Sequence, residues 1–415
     1  PAATVTTRPA PATGKPRLGT SAGAPVTQRD PTFESLPGAK ASFGILGKAA
    51  FRVEMPASWN GGLVLWAHGF RGIGAEVFAD NPPAALRSAF IEQGYAWAAS
   101  SYSENGYTPG IGADDTLALK RFFEGEFGKP KRTYLVGASM GGNIAVLSLE
   151  HFSGEFDGAL AICGAVTGQE QIDFLLSWAL VAEYTSGVEL PIGSGQTAMF
   201  AALNQVQAAL RPANGFTAEG EQFISAIRNL SGGPRPFFLE GFNDQFGTNF
   251  GLLLLDPNRR TLIGRAATNA DIEYAVDANS GLTSDALNSG VRRLAADPAA
   301  RDGERYPDAV PTSGRLSAPL LTVHGTGDLF VPISLEASYA KKAEAAGKGD
   351  LLVQRAIRSA GHCQFSAAEL ETAWADLVGW VEDGRKPAGD DLTGDLTDIG
   401  MEFTQPLRPG DPGTP

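Results

Sequence analysis

Apolar runs of strand length alternate with amphipathic stretches of helical length over much of this chain. The runs at 63–67 (LVLWA) and 133–137 (TYLVG) are short and apolar, as buried strands are. This alternation predicts an α/β fold with a mostly parallel central sheet flanked by helices on both faces. The predicted strands are 49–55, 62–67, 96–101, 133–136, 158–163, 319–323 and 351–357.

Amphipathic spacing predicts a helix between most of these strands. After the strand at 158–163 the alternation stops for roughly 140 residues, far longer than an ordinary connection. We therefore predict a core formed by 42–165 and 318–384, with 166–317 inserted as a large, mostly helical cap. The predicted helices are 77–94, broken early by Pro82 and Pro83, then 114–127, 141–152, 171–183, 197–210, 219–230, 334–346 and 367–382.

The two ends of the chain differ from the core in composition. Residues 1–41 form a polar lead-in, and its first 30 residues are rich in Ala, Pro, Thr and Gly. Residues 385–415 form a tail of Gly, Pro and Asp, for which we expect loose packing. Such a lead-in is typical of a chain whose secretory signal has been removed, which indicates a secreted or periplasmic protein; a trimmed sequence and a cytoplasmic location stay open.

Charge and hydropathy exclude several classes of protein. The formal net charge is −13, whereas nucleic acids and anionic membranes attract clustered Lys and Arg, so we expect neither as a partner. No apolar run approaches the roughly 20 residues that span a bilayer, so we expect no membrane span. With 43% hydrophobic residues the chain can bury a sizeable core, but its oligomeric state is left open.

A candidate nucleophile lies at the end of the strand at 133–136. There the segment Gly137-Ala138-Ser139-Met140-Gly141-Gly142 precedes a helical stretch. A sharp turn between strand and helix requires small residues on each side and leaves the serine hydroxyl exposed above the sheet. Gly137 and Gly141 meet that requirement, so Ser139 is the predicted nucleophile.

A serine nucleophile needs a base within hydrogen-bond reach and a third group that orients the base. His362 follows the apolar strand at 351–357, and Asp328 follows the strand at 319–323. The chain order Ser, Asp, His is the one expected when these groups share the end of such a sheet. Asp157 is a weaker candidate for the acid, because it lies at the start of its strand and so at the opposite end.

The reaction also needs two backbone N–H groups aimed at the developing oxyanion. Met140, the residue after the nucleophile, supplies one of them. The segment His68-Gly69-Phe70-Arg71 follows an early strand, and Gly69 allows the backbone to turn an N–H inward. Phe70 is the first candidate for the second donor and Arg71 the alternative.

These four motifs together resemble the α/β-hydrolase superfamily, in particular its serine esterases and lipases. The resemblance covers roughly 42–382 without the insertion, and it implies an α/β-hydrolase fold with a Ser-His-Asp triad. Tannases and feruloyl esterases carry a cysteine before the serine, bonded to one after the histidine. Here Cys363 follows His362, but Ala138 occupies the other position. Cys163 is an alternative partner for Cys363, and two free thiols stay equally open.

Five side chains are candidates for the substrate pocket. Tyr102 and Asn105 lie in a loop beyond a strand end, Phe242 and Phe246 lie in the insertion, and Phe330 follows the acid. We predict no metal site, because two cysteines and four dispersed histidines do not form a zinc pattern, and we predict no cofactor. Packing within the cap's own core is the other interpretation of its aromatic residues.

The function predicted from these residues is hydrolysis of a carboxylic ester through an acyl-enzyme, on a small-molecule or polymeric ester substrate. The same groups also serve peptidases, hydrolases of C–C bonds and acyltransferases, and these alternatives stay open. An inactive, hydrolase-like binding protein is the alternative from another class.

Overall fold

The computed structural model describes residues 5–19, 25–192, 196–252, 266–301 and 310–406. A nine-stranded sheet forms the centre of the molecule. The strands are β1 (Thr6–Arg8), β2 (Thr27–Gln28), β3 (Ala39–Leu46), β4 (Ala49–Pro56), β5 (Gly62–Ala67), β6 (Glu76–Val77), β7 (Ala96–Ser100), β8 (Arg132–Ala138), β9 (Gly158–Ile162), β10 (Leu320–Gly325) and β11 (Leu352–Ile357), of which β2 and β6 form a separate pair.

The strand order of the large sheet is β1-β3-β4-β7-β5-β8-β9-β10-β11. Strand β4 runs antiparallel to both of its neighbours, whereas the strands from β7 to β11 are parallel. Parallel strands in one sheet carry all their carboxyl ends to one edge. The loops that follow β5, β8, β10 and β11 therefore meet at that edge.

Helices cover both faces of the sheet. The helices of the described residues are α1 (Ala84–Glu92), α2 (Pro109–Phe127), α3 (Met140–His151), α4 (Gln169–Ser186), α5 (Gln196–Leu210), α6 (Ala218–Leu230), α7 (Phe238–Leu252), α8 (Ser284–Gly290), α9 (Ser334–Ala345) and α10 (Ala367–Asp383). Those of the insertion, α4 to α8, do not belong to these two layers. Alternate residues of β5 show the two layers: Leu63 belongs to the apolar cluster that includes residues of α2, α3 and α9, whereas Val64 belongs to the cluster that includes residues of α1 and α10. This alternation follows from the two-residue period of a strand.

The described part of the insertion forms a helical unit with an apolar core of its own. Helices α4 to α8 contribute to that core, and Trp178 of α4 lies at its centre against Phe223 of α6 and Phe242 of α7. The side chain of Leu329, which follows β10, is buried in the same cluster. The cap is therefore packed on a loop of the sheet.

The ends of the chain pack more closely on the core than their composition predicts. Strand β1 pairs in parallel with β3 at the edge of the sheet, and the backbone N–H groups of Leu18 and Gly19 donate to the Asp114 carboxylate. The predicted start of the core at 42 is therefore too late, since β3 begins at Ala39. Pairing to a partner far along the chain decided this, and local composition does not reveal it.

The tail is also packed, so the expectation of a loose segment is wrong for 385–406. Leu392 and Leu396 are buried against Ile333 and Ala356, and the Arg358 guanidinium donates to the Asp398 and Ile399 carbonyls. Few apolar residues are needed to anchor a segment whose backbone groups find partners on the core.

Two of the predicted helices begin several residues away from their predicted starts. Pro83 precedes α1, which begins at Ala84, so 77–83 is not helical. Helix α2 begins at Pro109, where the missing N–H of proline carries no cost at the first helical position. Within the described ranges, no helix has the length and apolar character needed to cross a membrane.

Candidate active site

Ser139 lies at the turn between β8 and α3, with φ 57° and ψ −119°. Non-glycine residues rarely adopt this conformation, and at a strand-to-helix turn it lifts the side chain above the sheet. The neighbouring glycines make the turn possible: a Cβ at Gly137 would lie 2.1 Å from the Gly141 carbonyl oxygen, and one at Gly141 would lie 2.0 Å from the Ala67 carbonyl oxygen. The backbone of the elbow therefore fixes the position of the hydroxyl.

The structure brings Ser139, His362 and Asp328 together in one hydrogen-bonded line. His362 Nε2 lies 2.9 Å from Ser139 Oγ, and His362 Nδ1 lies 2.6 Å from Asp328 Oδ2. The carboxylate accepts the Nδ1 proton, which leaves Nε2 as the acceptor for the serine proton. The arrangement can transfer a proton from Ser139 Oγ to His362.

Asp328 is fully buried, and its second oxygen is bound by the backbone. Oδ1 accepts hydrogen bonds from the N–H groups of Phe330 (3.0 Å) and Val331 (3.1 Å), so the loop after β10 curls around the carboxylate. The rival acid, Asp157, begins the turn into β9 and accepts from the Thr133 N–H at 2.8 Å. Asp157 therefore lies at the opposite end of the sheet from Ser139.

The segment after β5 lies directly against the nucleophile. A Cβ at Gly69 would be 3.1 Å from the Ser139 Cβ, so glycine permits this close approach. Among the described residues, the backbone N–H groups of Phe70 and Met140 donate to no protein acceptor. Both N–H groups belong to segments beside Ser139, where an oxyanion needs donors.

Tyr102, predicted to line the pocket, instead supports this segment from beneath. Its ring stacks on the His68 ring at 4.0 Å, its hydroxyl donates to the His68 carbonyl at 3.1 Å, and it is only 1% exposed. Burial lowers the pKa of His68 to about 4, so its imidazole is neutral. Tyr102 therefore packs under the segment after β5 and is not among the described residues that line the pocket.

Asn105 is also placed away from the pocket. Its side-chain amide donates to the Gly74 carbonyl (2.8 Å) and the Glu76 carbonyl (2.6 Å). These bonds tie the loop after β7 to the loop after β5. The prediction of a pocket residue is wrong because backbone carbonyls of a neighbouring loop engage the side-chain amide.

Cys163 and Cys363 form a disulfide, with 5.2 Å between their Cα atoms. The bond joins the end of β9 to the residue after His362, and so it resolves the alternatives left by the sequence. The two sulfurs and a ring nitrogen of His362 lie within 4.8 Å of one another, and they form the group of possible metal ligands found among the described residues. Bonded sulfurs offer no thiolate, and a thiolate is what binds a metal ion.

A second buried histidine lies behind Asp328. His324 Nδ1 is 3.1 Å from Glu336 Oε1, and its Nε2 is 2.7 Å from the Val331 carbonyl and 3.9 Å from Asp328 Oδ2. Burial alone would lower the pKa of His324, but the Glu336 carboxylate, the Asp328 charge and the Val331 carbonyl together raise it. Both ring nitrogens face acceptors, which requires a protonated imidazole when Glu336 is ionised.

Side chains of the cap, which the sequence analysis missed, bind the loops that carry Asp328 and His362. Gln245 of α7 is buried, and its Nε2 faces the carbonyls of Gly327 (3.0 Å) and Ala360 (2.9 Å). Its Oε1 accepts from the N–H groups of Leu329 and Phe330, each at 2.9 Å. One side-chain amide therefore joins the loop of the acid to the loop of the histidine.

Other cap residues strengthen this contact. Asn249 Nδ2 donates to the Leu329 carbonyl at 2.8 Å, and Arg235 Nε donates to the Thr326 carbonyl at 2.5 Å. A Cβ at Gly241 would lie 1.9 Å from the Gly327 carbonyl oxygen. Gly241, Gln245 and Asn249 are four residues apart, and this spacing marks one polar stripe on a helix. That stripe was the signal available in the sequence.

Phe242 and Phe246 belong to a neighbouring stripe of α7 that packs into the apolar core of the insertion, so their prediction as pocket residues is wrong. Both are buried in the cap core, where Phe242 packs against Trp178 and Phe246 against Phe216. The cap turns its phenylalanines inward and its amides toward the catalytic loops. This is the alternative interpretation given above for the aromatic residues of the insertion.

A pocket of about 140 Å³ opens beside Ser139. Phe330, a predicted pocket residue, lines it, and its ring stacks on the His362 ring at 5.3 Å. No Lys, Arg, Asp or Glu stands among the described residues that line it. Those residues are Phe70, Tyr107, Ser139, Ala165, Gln171, Leu175, Phe330, Val331 and His362.

The chain has the α/β-hydrolase fold. Three observations support this assignment: the mostly parallel sheet with a strand-to-helix elbow, the order of Ser139, Asp328 and His362 along the chain, and the position of the segment after β5.

The chain is similar to several known proteins, and no protein-family model matches it. An o-phthalyl amidase of Xanthobacter agilis is 24% identical over 400 residues, covering 82% of this chain and 86% of the amidase. Feruloyl esterase B from Aspergillus oryzae has a TM-score of 0.46 and 16% identity, covering 82% of this chain and 80% of the esterase. An acylaminoacyl peptidase of Pyrococcus horikoshii has a TM-score of 0.40 and 11% identity over 79% of this chain, which spans 38% of the peptidase.

Proposed function

We propose that this chain is a serine hydrolase that cleaves a carboxylic ester through an acyl-enzyme. The observation that carries the proposal is the unbroken hydrogen-bonded line from Ser139 Oγ through His362 to Asp328, at 2.9 and 2.6 Å. A serine without such a base is a poor nucleophile near neutral pH. The pocket beside Ser139 supplies space for a substrate.

The proposed reaction proceeds in two halves. His362 Nε2 takes the Ser139 proton as Oγ attacks the carbonyl carbon, and Asp328 stabilises the imidazolium. The N–H groups of Met140 and Phe70 bind the oxyanion until the C–O bond breaks and His362 returns the proton to the leaving alcohol. Water, deprotonated by His362, then attacks the acyl group and releases the acid and Ser139.

An amide is the second candidate for the bond that is cleaved. The observation that favours it is the 24% identity with an amidase. Both bonds use the same residues, and the amide needs protonation of a poorer leaving group. Rates on an ester and an amide of the same acid would separate the two, since an amidase cleaves the amide at a rate within a few orders of magnitude of the ester.

Replacement of the nucleophile tests the proposal. We expect Ser139→Ala to fold and to lose about three orders of magnitude or more in kcat, and to lose labelling by a fluorophosphonate probe. Ser148→Ala is the control, because Ser148 lies buried in α3 with an Oγ that has no hydrogen-bond partner among the described residues. Activity of Ser139→Ala within tenfold of wild type would contradict the proposal, and absence of probe labelling in wild type would favour an inactive binding protein.

We also propose that the chain acts outside the reducing cytoplasm, in a secreted or periplasmic setting. The disulfide between Cys163 and Cys363 supports this, because such bonds persist in oxidising compartments. Thiol titration of protein isolated without reductant should detect no free thiol, and two reactive thiols would contradict the assignment.

A further inference from the structure

Gln171 lies near the start of α4, and a hydrogen bond to a backbone carbonyl fixes the orientation of its side-chain amide. Its Nε2 donates to the Phe330 carbonyl, so its Oε1 is the acceptor end of the amide. The side chain is 4% exposed and lines the pocket together with Ser139 and His362. Among the described residues, Oε1 has no hydrogen-bond partner.

An unpartnered buried acceptor is unusual in a folded protein. Burial removes water from the oxygen, and without a new donor nothing offsets the loss. A position that faces a substrate pocket is one where a ligand can supply that donor. The orphaned oxygen of Gln171 therefore points to an O–H or N–H group on the substrate.

The rest of the pocket indicates the size and charge of the group that it takes. Its volume of about 140 Å³ is close to the ~150 Å³ of an apolar cavity known to hold one benzene ring. Phe70, Leu175 and Phe330 give it apolar walls, and no Lys or Arg lines it among the described residues. A neutral group with a single ring fits these walls.

We propose that Gln171 is a specificity-determining residue that accepts a hydrogen bond from an O–H or N–H donor on a substrate with one aromatic ring in the pocket. This inference rests on the proposed hydrolase function for its catalytic consequence. A ring that carries a carboxylate in place of the donor is disfavoured, because the carboxylate and Gln171 Oε1 are both acceptors. No Lys or Arg among the described lining residues offsets the negative charge.

Two sources of the donor have the same chemistry, a substituent on the ring or the N–H of a cleaved amide. Methyl 3-hydroxybenzoate and methyl 4-hydroxybenzoate represent the first source and benzamide the second, each compared with methyl benzoate. We expect Gln171→Met to lower kcat/KM for at least one donor-bearing substrate about tenfold more than for methyl benzoate. For each substrate we compare kcat/KM of the variant with kcat/KM of wild type, so the intrinsic reactivity of the substrate cancels in this ratio.

Gln169→Met is the matched control. Gln169 lies on the same turn of α4, donates to the Arg301 carbonyl at 3.0 Å, and does not line the pocket. The same chemical change there should leave the ratios at their wild-type values. An equal loss for all substrates in Gln171→Met would show a purely structural role and would overturn the inference.

Binding gives a readout that does not depend on catalysis. Calorimetry on the Ser139→Ala protein would compare phenol, which has a donor, with fluorobenzene, which has a similar size and none. We expect phenol to bind at least about fivefold more tightly, and the preference to vanish when Gln171→Met is added. Equal binding would overturn the inference even if Gln171→Met did not fold. If wild type cleaved no ester or amide but kept the preference for phenol, the proposed function would fail and this inference would stand.

Discussion

Ser139 and Asp328 are positioned by different means. The elbow around Ser139 is fixed by backbone packing, because Gly137 and Gly141 leave no space for a Cβ against neighbouring carbonyls. The loop around Asp328 is fixed by side chains of the cap, above all by Gln245, which binds both this loop and the loop of His362. The position of Ser139 therefore depends on the sheet, whereas the positions of Asp328 and His362 depend on the insertion.

This difference changes the role of the insertion. An insertion that only covered the pocket could change without affecting the line from Ser139 to Asp328. Here Leu329, next to the acid, is buried in the cap core, and Asn249 binds its carbonyl. The insertion is thus part of the framework that holds Asp328 and His362 near Ser139, and its residues Gln171 and Leu175 also line the pocket.

The two regions also shift the pKa of a buried histidine in opposite directions. His68, under the oxyanion segment, has its pKa lowered to about 4 by burial and is neutral. His324, behind Asp328, is buried too, but Glu336, Asp328 and the Val331 carbonyl raise its pKa. Burial favours the neutral ring in both places, and only the second provides a carboxylate that outweighs it.

The largest expected effect is at the elbow. Gly141→Ala would place a Cβ 2.0 Å from the Ala67 carbonyl oxygen, so the strand or the helix must move, and we expect a loss of about 4 kcal/mol or more in the free energy of unfolding. Urea unfolding measures it. Gly125→Ala in α2 is the control, because its Cβ meets nothing within 4 Å and should stabilise the helix slightly. A loss below about 1 kcal/mol for Gly141→Ala would mean that sterics do not fix the elbow.

The next effect is at the link between the cap and the acid. Gln245→Met removes a buried amide and leaves several backbone groups without partners, so we expect a loss of about 3 kcal/mol in stability and a fall of ten- to a hundredfold in kcat. Gln207→Met, on α5 and without hydrogen bonds to the catalytic loops, should change neither quantity much. Wild-type kcat in folded Gln245→Met would show that the cap does not position the triad.

The smallest effect concerns pH and the two histidines. Between about pH 6.5 and 4, unfolded His68 takes up a proton and folded His68 does not, so His68 makes the folded state less stable as pH falls. We expect wild type to lose about 2 kcal/mol relative to His68→Gln over this range. Asp115, whose pKa burial raises to about 6, acts in the opposite sense, and the difference between the two proteins cancels it.

His324 should show the reverse dependence. Its raised pKa means that the folded state holds the proton more tightly than the unfolded state, so its contribution is complete below about pH 6.5 and is lost as pH rises through the folded pKa. Wild type should therefore lose stability relative to His324→Gln on the alkaline side. Parallel pH profiles of the wild type and both variants would refute the opposite pKa shifts of these two histidines.

Much of the sheet was predictable because its signals are local. The strands β5, β8, β9, β10 and β11 are short apolar runs, and the glycines around Ser139 mark the elbow directly. Strand β3 was missed because most of its residues are only half-buried, and β1 pairs with it from the first 30 residues, which have few large apolar side chains.

The sequence by itself determined the order of the elements and the three residues of the hydrogen-bonded line, since each follows a strand whose carboxyl end shares one edge of a parallel sheet. Only the tertiary structure decided which side chains of α7 meet the loops of Asp328 and His362, because Phe242 and Gln245 lie on neighbouring stripes of one helix. It also paired Cys163 with Cys363 across 200 residues. Contacts of that kind depend on the relative placement of whole elements, and no local pattern of residues encodes that placement.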